Sequence, residues 1–122
     1  GAWDLVADIA KSTSDADADK DLVNTTTISS TAPEIFENEW EAANATKYVL
    51  TTGNYNEITS EEAAIIAYNS GTATAVVTEV AAANVYIAKL RETNDYVVIE
   101  ITNVIETISD NNDKIEFKYK KK

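Results

Sequence analysis

Asp15, Asp17, Asp19 and Asp21 alternate within the segment DADADKD, and carboxylates spaced by two are the hard oxygen donors that a calcium loop supplies from its first positions. The rest of that pattern is missing. Lys20 stands where the sharp turn wants Gly, and Thr26 stands where the bidentate acid would fall. A solvated acidic loop is the plainer reading of these residues. Bound calcium is the alternative, with affinity of roughly millimolar order, and it would relieve repulsion among the four acids. A second acidic turn, Asp110-Asn111-Asn112-Asp113, reads as turn chemistry between strands.

Trp40, flanked by Glu39 and Glu41, is the aromatic best placed by sequence to be half exposed, and with Tyr48 and Tyr55 it is a candidate stacking surface for sugars or flat ligands. Core packing is the competing reading for large aromatics. Paired acids occur at Glu61–Glu62 and across Glu37, Glu39 and Glu41. Glycoside hydrolysis needs two carboxylates across a cleft, one with a pKa raised by burial. Glu61–Glu62 instead falls in the opening turn of an expected helix, where the helix dipole favours negative charge. The chain has no His and no Cys, which excludes a Ser–His–Asp triad, an imidazole base, a thiolate nucleophile, a disulfide and a zinc ribbon. No catalytic residue is assigned, and no cofactor apart from the calcium option.

The net charge of −11 argues against nucleic acid, since phosphate binding needs clustered Lys and Arg. The charge is unevenly placed. Lys114, Lys118, Lys120, Lys121 and Lys122 face only Glu116 in the last nine residues, so the remainder is more acidic than the total. Lys114, Lys118 and Lys120 alternate with Ile115, Phe117 and Tyr119, as on an exposed sheet edge that lysine blunts. A weak contact with an anionic surface is the other reading.

These residues need elements to hold them. At 122 residues the expectation is a single domain spanning 1–122. The alternation Trp3, Leu5, Ala7, Ile9 reads as a short half-buried strand, residues 11–21 as a solvated loop, and 22–31 as a Thr-rich strand. Residues 33–45 fit a helix begun at Thr31, Pro33 and Glu34, or an aromatic-anchored strand and loop; 47–52 fits a strand. Thr59 with Glu62 forms a capping box, Ile58 can staple onto Ala63, and Gly71 stands where a left-handed C-cap is wanted, which places a helix over 60–70 with Ala63, Ile66 and Ala67 on its apolar face. Residues 72–80, 85–92, 96–107 and 114–120 then alternate with a period of two. Their short connections allow only antiparallel neighbours. The expected class is α+β: an antiparallel meander of about four to six strands with one or two short helices packed on it.

The early WDLVADI and the late Tyr96, Val98, Ile99 with Ile115, Phe117, Tyr119 and Lys120 resemble secreted bacterial lipoproteins of the HmuY-like family. The resemblance implies an exported, largely β scaffold at a bacterial surface. Haem capture in that family depends on His side chains, which this chain lacks, so haem is not carried over. The order of helix and strands is also similar to the cystatin-like arrangement.

No apolar run reaches the ~18–20 residues needed to span a bilayer. Gly1 opens a sequence without methionine, which reads as a fragment or mature form and leaves room upstream for a signal peptide or a lipid-bearing Cys. The expectation is a non-catalytic, exported or cell-surface (extracellular, outer-membrane or periplasmic) binding or interaction module of a bacterium. Its partner would be a small molecule, a glycan or a protein. The alternative is a structural domain of a larger surface protein stabilised by calcium in the 15–21 loop.

Overall fold

A computed structural model describes residues 1–12, 14–24, 38–105 and 114–122. The expected strand continuation at 25–31, the helix start at 31–37, the end of the 96–107 strand and the acidic turn at 110–113 lie outside the described residues. Strands β1 (Ala2–Asp4), β2 (Ile9–Lys11), β3 (Leu22–Asn24), β4 (Trp40–Glu41) and β5 (Lys47–Thr51) precede the helix α1 (Glu61–Asn69). Strands β6 (Val76–Val77), β7 (Val85–Lys89), β8 (Tyr96–Ile105) and β9 (Lys114–Lys121) follow it. Among the described residues all strand pairings are antiparallel, in two sheets ordered β2-β1-β3-β4-β6 and β5-β7-β8-β9.

The β-rich antiparallel character matches the expectation, and β7, β8 and β9 pair in succession as in a meander; the meander does not extend back to 72–80. Residues 72–80 do not form a strand beside β7. Only Val76–Val77 is extended, and it joins the first sheet against β4, while β5 takes the place beside β7. The reason is visible in β8. Tyr96, Val97, Val98, Ile99 and Ile101 are all buried, so this strand must be covered on both faces, and one short helix cannot do that.

Alternation divides the cover. Val97, Ile99 and Ile101 point to the first sheet, joining Leu5, Leu22, Trp40, Tyr48, Tyr86 and Leu90 in one core. Tyr96, Val98, Val85 and Ile87 point the other way, against Ala64 and partly buried Ala63, Ile65, Ala67 and Tyr68 of α1. Small Ala64, fully buried, lets the helix approach the sheet. The apolar face therefore includes Ala64 and Tyr68, and the expected member Ile66 is exposed.

Local chemistry also shifts three boundaries. Trp3 to Ile9 is a hairpin, not one strand, because the Asp4 carboxylate accepts the Val6 and Ala7 N–H groups at 2.9 Å and turns the chain. The cap of α1 is Ser60, whose Oγ accepts the Ala63 N–H at 3.1 Å, one residue beyond Thr59. Gly71 has no positive φ, so it is not a left-handed cap. It is needed for space: a Cβ there would lie 2.4 Å from Val49 Cγ1.

The two sheets meet at both sides. Thr74 exchanges backbone hydrogen bonds with Tyr48 of β5 at 2.9 and 2.8 Å, while the Ala42 N–H beside β4 donates to Ala75. On the far side Trp3 Nε1 donates to the Tyr119 hydroxyl at 3.1 Å, and that hydroxyl donates to Asp8. Burial, then the Asp8 hydrogen bond, raises the Tyr119 phenol to about 12, so it stays protonated and donating. Edge strand β9 carries the lysines as expected for a sheet edge.

Gly71→Ala is expected to lower unfolding free energy by about 1–3 kcal/mol through overpacking, and a second change, Val49→Ala, to recover part of the loss. Equal urea midpoints for the wild type and G71A would show that the contact relaxes freely.

Candidate functional site

Two places gather polar side chains, and they lie at opposite ends of β7. The first centres on Asp21, which is fully buried. Its carboxylate accepts the Leu5 N–H at 2.8 Å, Asn44 Nδ2 at 2.9 Å, Thr46 Oγ1 at 2.7 Å, and Arg91 through Nε at 3.0 Å and a terminal nitrogen at 2.9 Å. The same Arg91 reaches the buried Asp4 at 2.9 Å. Tyr48 donates its hydroxyl to the Asp21 carbonyl. Burial alone would push the Asp21 carboxyl up; hydrogen bonds from Arg91, Asn44, Thr46 and the Leu5 N–H overcome it and hold the group below its ordinary 3.8.

Arg91 reaches these acids because of an unusual turn. Arg91 and Glu92 have φ of 50° and 59°, and the Thr93 N–H donates to the Leu90 carbonyl at 2.8 Å. Two consecutive left-handed residues are the pattern of a tight hairpin turn normally given to Asn-Gly. The turn departs from the expected strand over 85–92, and its strain is offset by the ion pairs it permits. A carboxylate whose lone pairs are filled, facing a permanent cation, is neither base nor nucleophile. This end is a structural clamp.

The clamp corrects the calcium expectation. Asp15 takes the Ser12 N–H at 2.7 Å, Asp17 pairs with Lys20 at 3.2 Å, and Asp19 lies 3.9 Å from Arg91. Asp21 is consumed inside. The four acids do not converge, and among the described residues no group of three or more His, Cys, Asp or Glu could hold a metal. The 11–21 segment is also not wholly solvated, since Lys20 and Asp21 are buried.

The aromatic expectation divides in the same way. Trp40 is 4% exposed and meets Tyr48 and Tyr86 edge to face, with ring centroids 5.6 and 5.0 Å away. Its flanking glutamates do not draw it outward, because strand alternation sends Glu41 to the other face. Of the two readings of 33–45, the described part, 38–45, follows the strand and loop, with Trp40–Glu41 as the strand. Tyr48 is fully buried beside Trp40. Tyr55 belongs to the helix-side core, where the ammonium groups of Lys118 and Lys120 lie 4.7 and 4.3 Å from its ring centre. The sheet therefore separates Tyr55 from the other two, and the three share no platform.

The second place is an open groove of about 500 Å³ where the strands splay beyond the Thr74–Tyr48 bridge. Leu50 and Val76, 59% and 41% exposed, face it. Tyr48 and Tyr86 also line it, together with Thr72, Thr74, Thr78, Glu79 and Asn84. Asn84 Nδ2 donates to the Tyr86 hydroxyl at 3.2 Å. The wall carries strain as well: Glu79 has φ of 54° and Ala83, next to Asn84, has φ of 72°. Non-glycine residues held in that region recur at ligand clamps.

Sequence reasoning passed over most of these residues. Arg91 is the sole arginine of the chain, a usable signal, because Arg suits buried carboxylate pairs better than Lys does. The groove had no such signal, since its walls come from β5 and from a stretch that reads as an ordinary strand. Comparison of the chain with protein families, with characterised proteins and with solved structures finds no match.

Arg91→Met is expected to cost about 3–5 kcal/mol at neutral pH, since it leaves two buried carboxylates without a countercharge. The folded Asp21 carboxyl lies below its unfolded value, so its contribution is present above about pH 4 and is lost as pH falls through the lowered folded value. The penalty of R91M should therefore shrink on acidification below about pH 4, where protonation removes the unpaired charge. Urea unfolding of both proteins across the acid range measures this, and a penalty independent of pH would contradict it.

Proposed function

We propose that this chain is a non-catalytic binding module, exported and working at a bacterial cell surface, which holds its ligand in the groove beside β5. The observation that carries the reading is that groove: a concave site with exposed aliphatic groups, hydroxyls and an amide, walled by backbone at positive φ and mounted on a doubly covered sheet. Sites of roughly 300–1,000 Å³ with a few placed polar groups are where small ligands bind.

The non-catalytic half of the reading rests on chemistry. Without His or Cys, general acid–base work would fall to carboxylates, phenols or lysine amines, and the groove lining includes no Lys. The carboxylates brought together by the fold, Asp4 and Asp21, are tied to Arg91. The groove contributes the single carboxylate Glu79, whereas hydrolytic pairs need two with opposed pKa values. Export is supported by the Thr- and Asn-rich acidic composition and by the resemblance to secreted lipoproteins. Among the described residues no helix is long and apolar enough to cross a membrane.

In a fragment screen on isotope-labelled protein, amide shifts should gather at residues 48–50 and 72–84. Hits spread evenly over the surface, or gathered at the Arg91 end, would count against the site. Protease treatment of intact cells of the native organism should remove the protein; full protection, with loss only after lysis of all compartments, would defeat the surface location.

A further inference from the structure

We propose that the groove takes a neutral, hydroxyl-rich ligand, a pyranose unit of a glycan; this rests on the binding role assigned above and adds the class of ligand. Charge narrows the choice first. The residues lining the groove include one acidic side chain, Glu79, and no Lys or Arg. A phosphate, carboxylate or sulfate would meet that acid, on a molecule of net charge −11, with no cation to replace its lost water. Anionic ligands are thereby disfavoured.

Shape narrows it further. A lipid or a large flat apolar ligand needs an enclosed apolar pocket that hides most of its surface. This groove is open, and its aromatic residues present almost nothing to solvent: Tyr48 is 0% exposed and Tyr86 2%. What it does present is aliphatic, at Leu50 and Val76. An open shelf of this kind suits the C–H face of a sugar ring, which is small and rimmed by hydroxyls.

The polar groups complete the match. Thr74 is already engaged, since its hydroxyl donates to the Val76 carbonyl at 2.8 Å and accepts the Val76 N–H at 3.2 Å. Thr72 and Thr78 are exposed, and their hydroxyls have no side-chain hydrogen bond among the described residues. Asn84 spends its NH2 on Tyr86, which leaves its carbonyl oxygen to accept. Two hydroxyls, an amide oxygen and a carboxylate thus offer mixed donors and acceptors within one groove. Vicinal diols also donate and accept at once, so each can be satisfied. A simple amine would use only Glu79, and an extended peptide would call for a row of main-chain partners.

The test is a set of amide-shift titrations with glucose, galactose, mannose, N-acetylglucosamine, maltose and cellobiose as neutral probes, beside glucuronate, glucosamine and a short neutral peptide. At least one neutral sugar should give saturable shifts at 48–50 and 72–84. The double variant Thr72→Val with Thr78→Val keeps the shape and exposure of both side chains, and should weaken that sugar about tenfold, as expected when hydroxyl partners are lost. Binding of the sugar unchanged in that variant would overturn the proposal. So would shifts from glucosamine alone that vanish with Glu79→Gln, or from the peptide or glucuronate alone; in those cases the groove still binds and only the ligand class fails. If neither these probes nor the fragment screen moves the groove residues, the binding role fails with it.

Discussion

One arginine set against two buried carboxylates is the constraint on which the rest of the structure depends. Burying a carboxylate costs several kcal/mol unless charge and hydrogen bonds replace its water, and this fold buries two, Asp4 and Asp21. Arg91 answers both at 2.9 Å. The residues it gathers come from the end of β1, the approach to β3, the link before β5 and the β7–β8 turn. Both sheets are therefore tied at one point, and four connections are oriented together. The positive φ at Arg91 and Glu92 is the local cost of aiming the guanidinium inward. A lysine could not serve in the same way, because Nε and Nη2 of one planar fork hold both oxygens of Asp21 while Nη2 also reaches Asp4.

The second organising fact is that β8 is buried on both faces. A strand of this kind needs two covers, and the chain supplies them unequally: a five-strand sheet on one side and a nine-residue helix on the other. The sheets are joined at the Thr74–Tyr48 bridge and by the Trp3–Tyr119–Asp8 contacts. Where the first of these junctions opens out, the groove forms. Its position is thus a consequence of packing: the short strand β6 leaves β5 for β4, and a gap follows. The clamp and the groove sit at opposite ends of β7, so the end that holds the fold together is not the end that carries the groove.

Part of this was legible beforehand. The period of two in β7, β8 and β9 shows in the sequence because each has long apolar residues on at least one face. The helix shows through its first-turn acids and a cap read one residue early, at Thr59 rather than Ser60. What misled was local pattern without its partners. Trp3 to Ile9 alternates like a strand, yet the Asp4 carboxylate folds it into a hairpin. Trp40 between two glutamates looks half exposed, yet it lies against Tyr48 and Tyr86. Asp15 to Asp21 looks like one ligand set, yet a turn sends its last member into the core. Gly71 was legible as necessary and misread as to why, since its space is demanded by Val49, distant in sequence.

By itself the sequence determined composition, charge, periodicity and the absence of imidazole and thiol. Those are properties of residues and near neighbours, and from them follow an antiparallel β-rich chain with one well-capped helix and a restricted chemical repertoire. Only the tertiary structure decided that 76–77 would leave the second sheet, that Asp21 would face Arg91 rather than solvent, and that Leu50, Val76 and Asn84 would border one groove. Each of those outcomes depends on contacts between residues far apart in the chain. A side chain's local pattern states what it can satisfy; which distant partner satisfies it is set when the whole core closes.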